Sequence, residues 1–246
     1  MKYPSGCLLC GEPLVYQSHA VEQICVYCGS TYLSEVNCAA GHYVCDTCHR
    51  AEPSDLFESY CLQSTSRNPV AMAINLMSHP SVAMHGPEHH FLVPAVLLAS
   101  YNQVKPGGNL PIQLRQARHR AEGVMGGSCG FCGNCGAAVG TGIFISLITG
   151  SSPLSTQTWQ LCNRMTAESL LSIAEHGGPR CCKRDTFLAL QCADAFLQKE
   201  FGVKLEMPES IHCDFSPLNR QCLKEGCPFY SGRESVNKVV LIQNPL

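Results

Sequence analysis

Long apolar runs are missing from this 246-residue chain. The longest, Phe91 to Ala99 and Ile143 to Ile148, fall short of the roughly 18 residues that a membrane-spanning helix needs, so a soluble protein with no membrane partner is expected. Charge is scarce too: 15 % of residues are charged, the net charge is −2, and the 17 basic residues are scattered rather than gathered into a stripe. The electrostatic footprint of a nucleic-acid binder is therefore absent. So are a phosphate loop, a dinucleotide fingerprint and the Cys-x-x-x-Cys-x-x-Cys signature of radical-SAM enzymes, and the chain is not expected to generate a radical itself. The amino terminus, MKYPSGCLLCG, carries no apolar secretory segment, and the chain is expected in a reducing cytoplasm. Few charges beside 45 % hydrophobic residues point to extensive burial or to an interface with a partner or a second copy.

Cysteine, by contrast, is abundant: 18 residues, mostly in Cys-x-x-Cys or adjacent pairs. In a reducing compartment such pairs mark metal or redox sites rather than a disulfide framework. Residues 1–50 read as a turn-rich, zinc-ribbon-like module with two ligand sets. Cys7-Leu-Leu-Cys10-Gly11 and Cys25-Val-Tyr-Cys28-Gly29 are two knuckles expected to close one zinc site of four thiolates, the glycines permitting positive φ. Cys38, Cys45 and Cys48 form the second set, with His42 the better-placed imidazole to complete a site of three thiolates and one imidazole; His49 reads as a polar residue opening the next helix. Closed sites of this kind do no chemistry, and metal binding is expected to fold a segment with too few apolar residues for its own core.

Residues 51–205 change to helical spacing, giving a mainly α fold class. Helices are expected over Asp55–Cys61, Pro69–Met77, Pro87–Gln103, Pro111–Met125, Gly136–Ile148, Thr158–Glu175 and Asp185–Phe201, with Gly177-Gly178-Pro179 and Gly202 as stops. Only Lys238–Ile242 looks strand-like. The solitary Cys61, Cys162 and Cys192, among apolar neighbours, read as small packing residues.

Three motifs of this core carry chemistry. His85-Gly-Pro-Glu88-His89-His90 opens an apolar helix, and His85, Glu88 and His89 are candidates for an open coordination position or a proton relay; capping by Glu88 with surface histidines is the plain alternative. Cys129, Cys132 and Cys135, spaced by two with glycines between, suit the wrapping of an iron–sulfur cubane, held or flanked together with Cys181 and Cys182. Cys135 immediately precedes an apolar helix, whose amino end is expected to lower its pKa. Cys181 and Cys182, among Arg180, Lys183 and Arg184, repeat that environment, and the cations are expected to favour the thiolates.

The run Gly126-Gly127 to Cys135-Gly-Ala-Ala-Val-Gly140, with the later cysteine pair, resembles the redox-active proteins named for a Cys, Gly-Cys-Ala-x-x-Gly, Cys, Cys pattern. That likeness spans about residues 85 to 200 and implies an α-helical redox or iron–sulfur domain. The chain departs from the pattern where His89 and His90 replace the early cysteine and where Asn134-Cys135-Gly136 replaces Gly-Cys-Ala. The whole chain, including Gly41-His-Tyr-Val-Cys-Asp-Thr-Cys48, is similar to a cysteine-rich prokaryotic domain of unknown function associated with anaerobes and with fusion to radical-SAM enzymes. This likeness implies a radical-SAM or other redox partner and names no reaction.

Residues 206–246 form a short cysteine-rich tail. Cys213, Cys222 and Cys227 lack a fourth ligand, which Cys181 or Cys182 supplies for a cluster or His212 for zinc; Pro228 follows the last, as in ferredoxin-type ligands. The leading expectation is thus a zinc and iron–sulfur protein, with a 4Fe-4S cluster, acting in electron transfer or in sulfur or methyl-group chemistry, with Cys135, Cys181 and Cys182 beside the reacting centre. A non-catalytic zinc adaptor and a metal or cluster carrier are the alternatives.

Overall fold

A computed structural model describes residues 5–232 of the chain; the strand-like Lys238–Ile242 lies outside the described residues. The fold is mainly helical, preceded by a two-stranded antiparallel hairpin, β1 (Leu14–Ile24) and β2 (Thr31–Cys38). The segment reads as turn-rich, with strand expected only at Lys238–Ile242, and the hairpin corrects that. Its alternation is masked because both faces are largely exposed, so no apolar period of two marks it. The pairing runs from Leu14 opposite Cys38 to Ile24 opposite Thr31, with an irregularity between Tyr16 and Val21 that bends the ribbon.

The helices are α1 (Asp46–His49), α2 (Pro53–Gln63), α3 (Pro69–Met77), α4 (Glu88–Val104), α5 (Leu110–Glu122), α6 (Ser128–Phe131), α7 (Gly136–Thr149), α8 (Gln157–Glu175) and α9 (Cys182–Phe201). Local chemistry sets their ends. Asn68 and Asn109 accept hydrogen bonds from the N–H groups of Ala71 and Ile112, at 2.9 and 3.2 Å, capping α3 and α5. Gly150 and Gly202, with φ of 64° and 63°, close α7 and α9 in the left-handed conformation. His49 ends α1 rather than opening a helix.

Helix α4 is the axis of the core. Every residue from Phe91 to Ser100 is buried, and the helix packs against α2, α3, α5, α7 and α9. Its closest neighbour is α7, because Gly136 and Gly140 leave room for it: a Cβ on Gly136 would overlap the His90 ring, and one on Gly140 would lie 2.8 Å from Pro94 Cδ and 3.0 Å from the His90 carbonyl. The amino-terminal module is tied to this core by Tyr27, fully buried against Tyr60 and edge-on to His79 at 5.2 Å. At the other end the tail folds back on α9 through Phe215 and through Phe229, whose ring stacks edge-on against Phe187. Among the described residues no helix is long and apolar enough to cross a membrane.

Candidate metal centres

The eight ligand candidates of the module gather into two groups, each with all its ligand atoms within 4.8 Å of one another: Cys7, Cys10, Cys38 and His42, and Cys25, Cys28, Cys45 and Cys48. The pairing corrects the sequential one. Cys25 and Cys28 do not complete the site of Cys7 and Cys10, and His42 does not join Cys45 and Cys48. Ligand pairs alternate instead between the two sites, and the reason is the hairpin: β1 carries the chain away from Cys10 to Cys25, and β2 returns it to Cys38, beside the first pair.

In the first group Cys10 Sγ lies 3.8 Å from Cys38 Sγ, and His42 Nδ1 lies 3.5 Å from Cys38 Sγ and 3.8 Å from Cys7 Sγ. A tetrahedral ion with metal–sulfur bonds of about 2.3 Å sets its thiolates about 3.8 Å apart, so the ligand spacing fits a single metal. Backbone N–H groups of Ala40 and His42 donate to Cys38 Sγ at 3.2 and 3.4 Å, as a thiolate requires. Gly6 is needed in the knuckle: its φ is 79°, and a Cβ there would lie 2.6 Å from the carbonyl oxygens of Gly11 and Glu12. Burial pushes Cys10 up to about 12, which a bound cation would reverse.

In the second group Cys28 Sγ lies 3.9 Å from Cys45 Sγ, and the N–H groups of Cys45 and Cys48 donate to Cys25 Sγ and Cys45 Sγ, both at 3.4 Å. Burial raises Cys28, but hydrogen bonding to Ser30, Cys25 and Cys48 together outweighs it and leaves the thiol lowered to about 7; burial raises Cys25 and Cys48. His42 and Cys45 belong to different groups yet are three residues apart, which keeps their backbones within about 11 Å.

The remaining cysteines are arranged differently. Among the described residues no other set of three His, Cys or carboxylate ligand atoms lies within 4.8 Å, so Cys129, Cys132 and Cys135 are not gathered with Cys181 and Cys182 at single-ion spacing. Cys132 is exposed, and Cys129 is half-buried. Cys135 caps α7, but burial, and then the Asp185 carboxylate 3.9 Å away, push it up to about 12 rather than down. Burial likewise raises Cys181 and pushes Cys182 up to about 11. The expected lowering by helix ends and cations is thus corrected: desolvation of the thiolate exceeds the local dipole.

Cys181 instead faces the tail. Together with Cys213, Cys222 and Cys227 it lines one small cavity of about 20 Å³, joined by Asn219 and Arg184. Asn219 Nδ2 donates to Cys181 Sγ at 3.5 Å, so its Oδ1 is the acceptor, and His85 Nε2, 3.2 Å away, is the donor. Asn219 escaped the sequence reading because an isolated Asn between cysteines carries no spacing signal. Lys183 is buried; its ammonium donates to the carbonyls of Ala83 and Met77 and lies 5.1 Å from the Phe215 ring centre. Burial brings it down to about 8 against the pull of Glu88 and the nearby thiols.

His89 is buried on α4, with Nδ1 3.1 Å from the Gly86 carbonyl and no partner for Nε2 among the described residues; burial holds it neutral. Glu88 lies 3.7 Å from it, while His85 stands outside the helix, on the other side of Gly86-Pro87. His212 bonds Ser210 at 2.9 Å.

Residues 57–230 match the model of a family described as "Family of unknown function (DUF5714)". No curated protein and no solved structure matches the chain.

Proposed function

We propose, for a chain that belongs to the DUF5714 family of unknown function, a zinc and iron–sulfur metalloprotein in which the hairpin module is structural and the helical core with its tail is the working part. The observation that carries the metal-binding reading is the interleaved set of eight ligands at single-ion spacing. Both groups are closed, with four protein donors each, which supports zinc held for folding rather than for chemistry.

The working part is read from the second set of thiols. Cys129 lies in α6, Cys132 and Cys135 lie between it and α7, Cys182 opens α9, and Cys181, Cys213, Cys222 and Cys227 line one cavity. A cluster among these would supply one-electron transfer, or a site for sulfur or methyl-group chemistry beside a radical-SAM partner. His85 donates a hydrogen bond to Asn219, which donates to Cys181 beside that site, and Glu88 lies 3.7 Å from the buried His89.

A non-catalytic adaptor is the second reading. It is favoured by the apolar residues that the hairpin exposes, Tyr16, Ile24 and Leu33 at 75, 57 and 73 %. Metal analysis of protein purified without oxygen separates the two. The proposal expects about two zinc ions per chain together with iron, acid-labile sulfide and a brown colour that bleaches on reduction. Colourless protein holding zinc alone makes the adaptor the function.

A further inference from the structure

Cys181, at the start of α9, and Cys213, Cys222 and Cys227, in the tail, are far apart in the chain and are brought to one cavity only because the tail folds back over α9. We infer that these four thiols, and not Cys182 or the Cys129, Cys132 and Cys135 run, are the ligands of a polynuclear iron–sulfur centre that fastens the tail to the core. The inference rests on the iron–sulfur reading above and assigns its ligands.

Spacing is the first argument. The four thiols line one cavity, yet no three of them lie within 4.8 Å of one another, so they are not at the roughly 3.8 Å spacing a single tetrahedral ion imposes. A cubane binds each thiolate through a different iron and does not need that spacing.

Hydrogen bonding to sulfur is the second. The backbone N–H of Lys224 reaches Cys222 Sγ at 3.4 Å. Lys224 holds a φ of 49°, in the left-handed region that side-chain-bearing residues seldom occupy, to make this contact. Asn219 adds its amide to Cys181. N–H groups aimed at the sulfurs of one set are the surroundings that thiolate-bound clusters take.

Charge is the third. Lys183 is 1 % exposed, and its ammonium is held by the carbonyls of Ala83 and Met77 beside the ring of Phe215, two residues from Cys213. A buried ammonium held by carbonyls and a ring needs negative charge beside it. Four thiolates around a cluster core of smaller positive charge provide it.

The test uses the full chain purified without oxygen, as wild type, Cys222→Ser and Cys132→Ser. About four irons and four sulfides are expected in wild type and in Cys132→Ser, and at least a tenfold loss of both in Cys222→Ser, with about two zinc ions retained in all three. Iron kept in Cys222→Ser and lost in Cys132→Ser overturns the ligand assignment while leaving the iron–sulfur reading intact. Zinc with no iron in wild type overturns both. Should Cys222→Ser fail to fold, alkylation of wild type with mass detection decides: the four thiols are expected to resist labelling together until iron is removed. Labelling of any one of them in iron-loaded protein at the rate of exposed Cys132 overturns the assignment.

Discussion

The hairpin module and the cavity at α9 both assemble cysteines, yet by opposite means. In the module a hairpin brings the ligands together, single-ion spacing is already present, and neighbouring backbone N–H groups point at the sulfurs. At α9 one thiol at the start of the helix meets three from the tail, no three of them at that spacing, and the framework is an apolar core against which Cys213 and Cys227 pack. Metal can replace a core in a segment that has little of one, whereas a tail that folds back requires a core that exists first.

The largest effects are expected where metal substitutes for packing. Interleaving makes a stoichiometric prediction: the double variant Cys10→Ser with Cys28→Ser damages both groups and loses both zinc ions, while Cys10→Ser with Cys38→Ser damages one group and loses one. Sequential pairing reverses these results, so zinc counting by mass spectrometry under native conditions decides between them. Each lost ion removes binding free energy on the order of 10 kcal/mol, enough to unfold the module, which protease sensitivity between Cys7 and Cys48 would report.

The opposite perturbation breaks the core and spares the metal. Gly140→Val places side-chain atoms against Pro94 and Val93 at the α4–α7 crossing. Overpacking there is expected to cost about 1–3 kcal/mol and to lower the melting temperature by several degrees, with zinc content unchanged. Loss of zinc in this variant would mean that the two regions fold as one.

How much of this was legible in the sequence follows the same division. The helices were readable from proline starts, glycine stops and apolar spacing, and the glycine run before α7 marked a special place, although its role in admitting α4 needed the packed structure. Six of the module's ligand candidates could be named from Cys-x-x-Cys spacing and Cys38 and His42 from their nearness to the third pair, but not their partition, since local spacing cannot show that a hairpin turns Cys38 and His42 back to the first pair. Its strands were invisible because neither face is buried. At α9 the spacing of Cys213, Cys222 and Cys227 showed three ligands without a fourth; choosing Cys181 over Cys182 depends on which of two adjacent side chains faces the tail. The pKa expectations failed for one reason: helix ends and cations are visible in sequence, whereas burial is not.

The smallest effect is expected at the seam between the two regions. Tyr27 lies between the cysteines of the second group, and its ring is buried against Tyr60 and His79, but its hydroxyl has no hydrogen-bond partner among the described residues. A buried hydroxyl without a partner opposes folding, while the ring that carries it is what joins module to core. The two contributions separate by substitution. Tyr27→Phe keeps the ring and is expected to be neutral or stabilising by up to about 1 kcal/mol, whereas Tyr27→Ala removes the ring and is expected to cost about 3–5 kcal/mol. Melting curves of both variants in zinc-loaded protein measure this. A Phe variant less stable than wild type by more than about 1 kcal/mol would give the hydroxyl a partner, and the seam would then be held by polar contact as well as by packing.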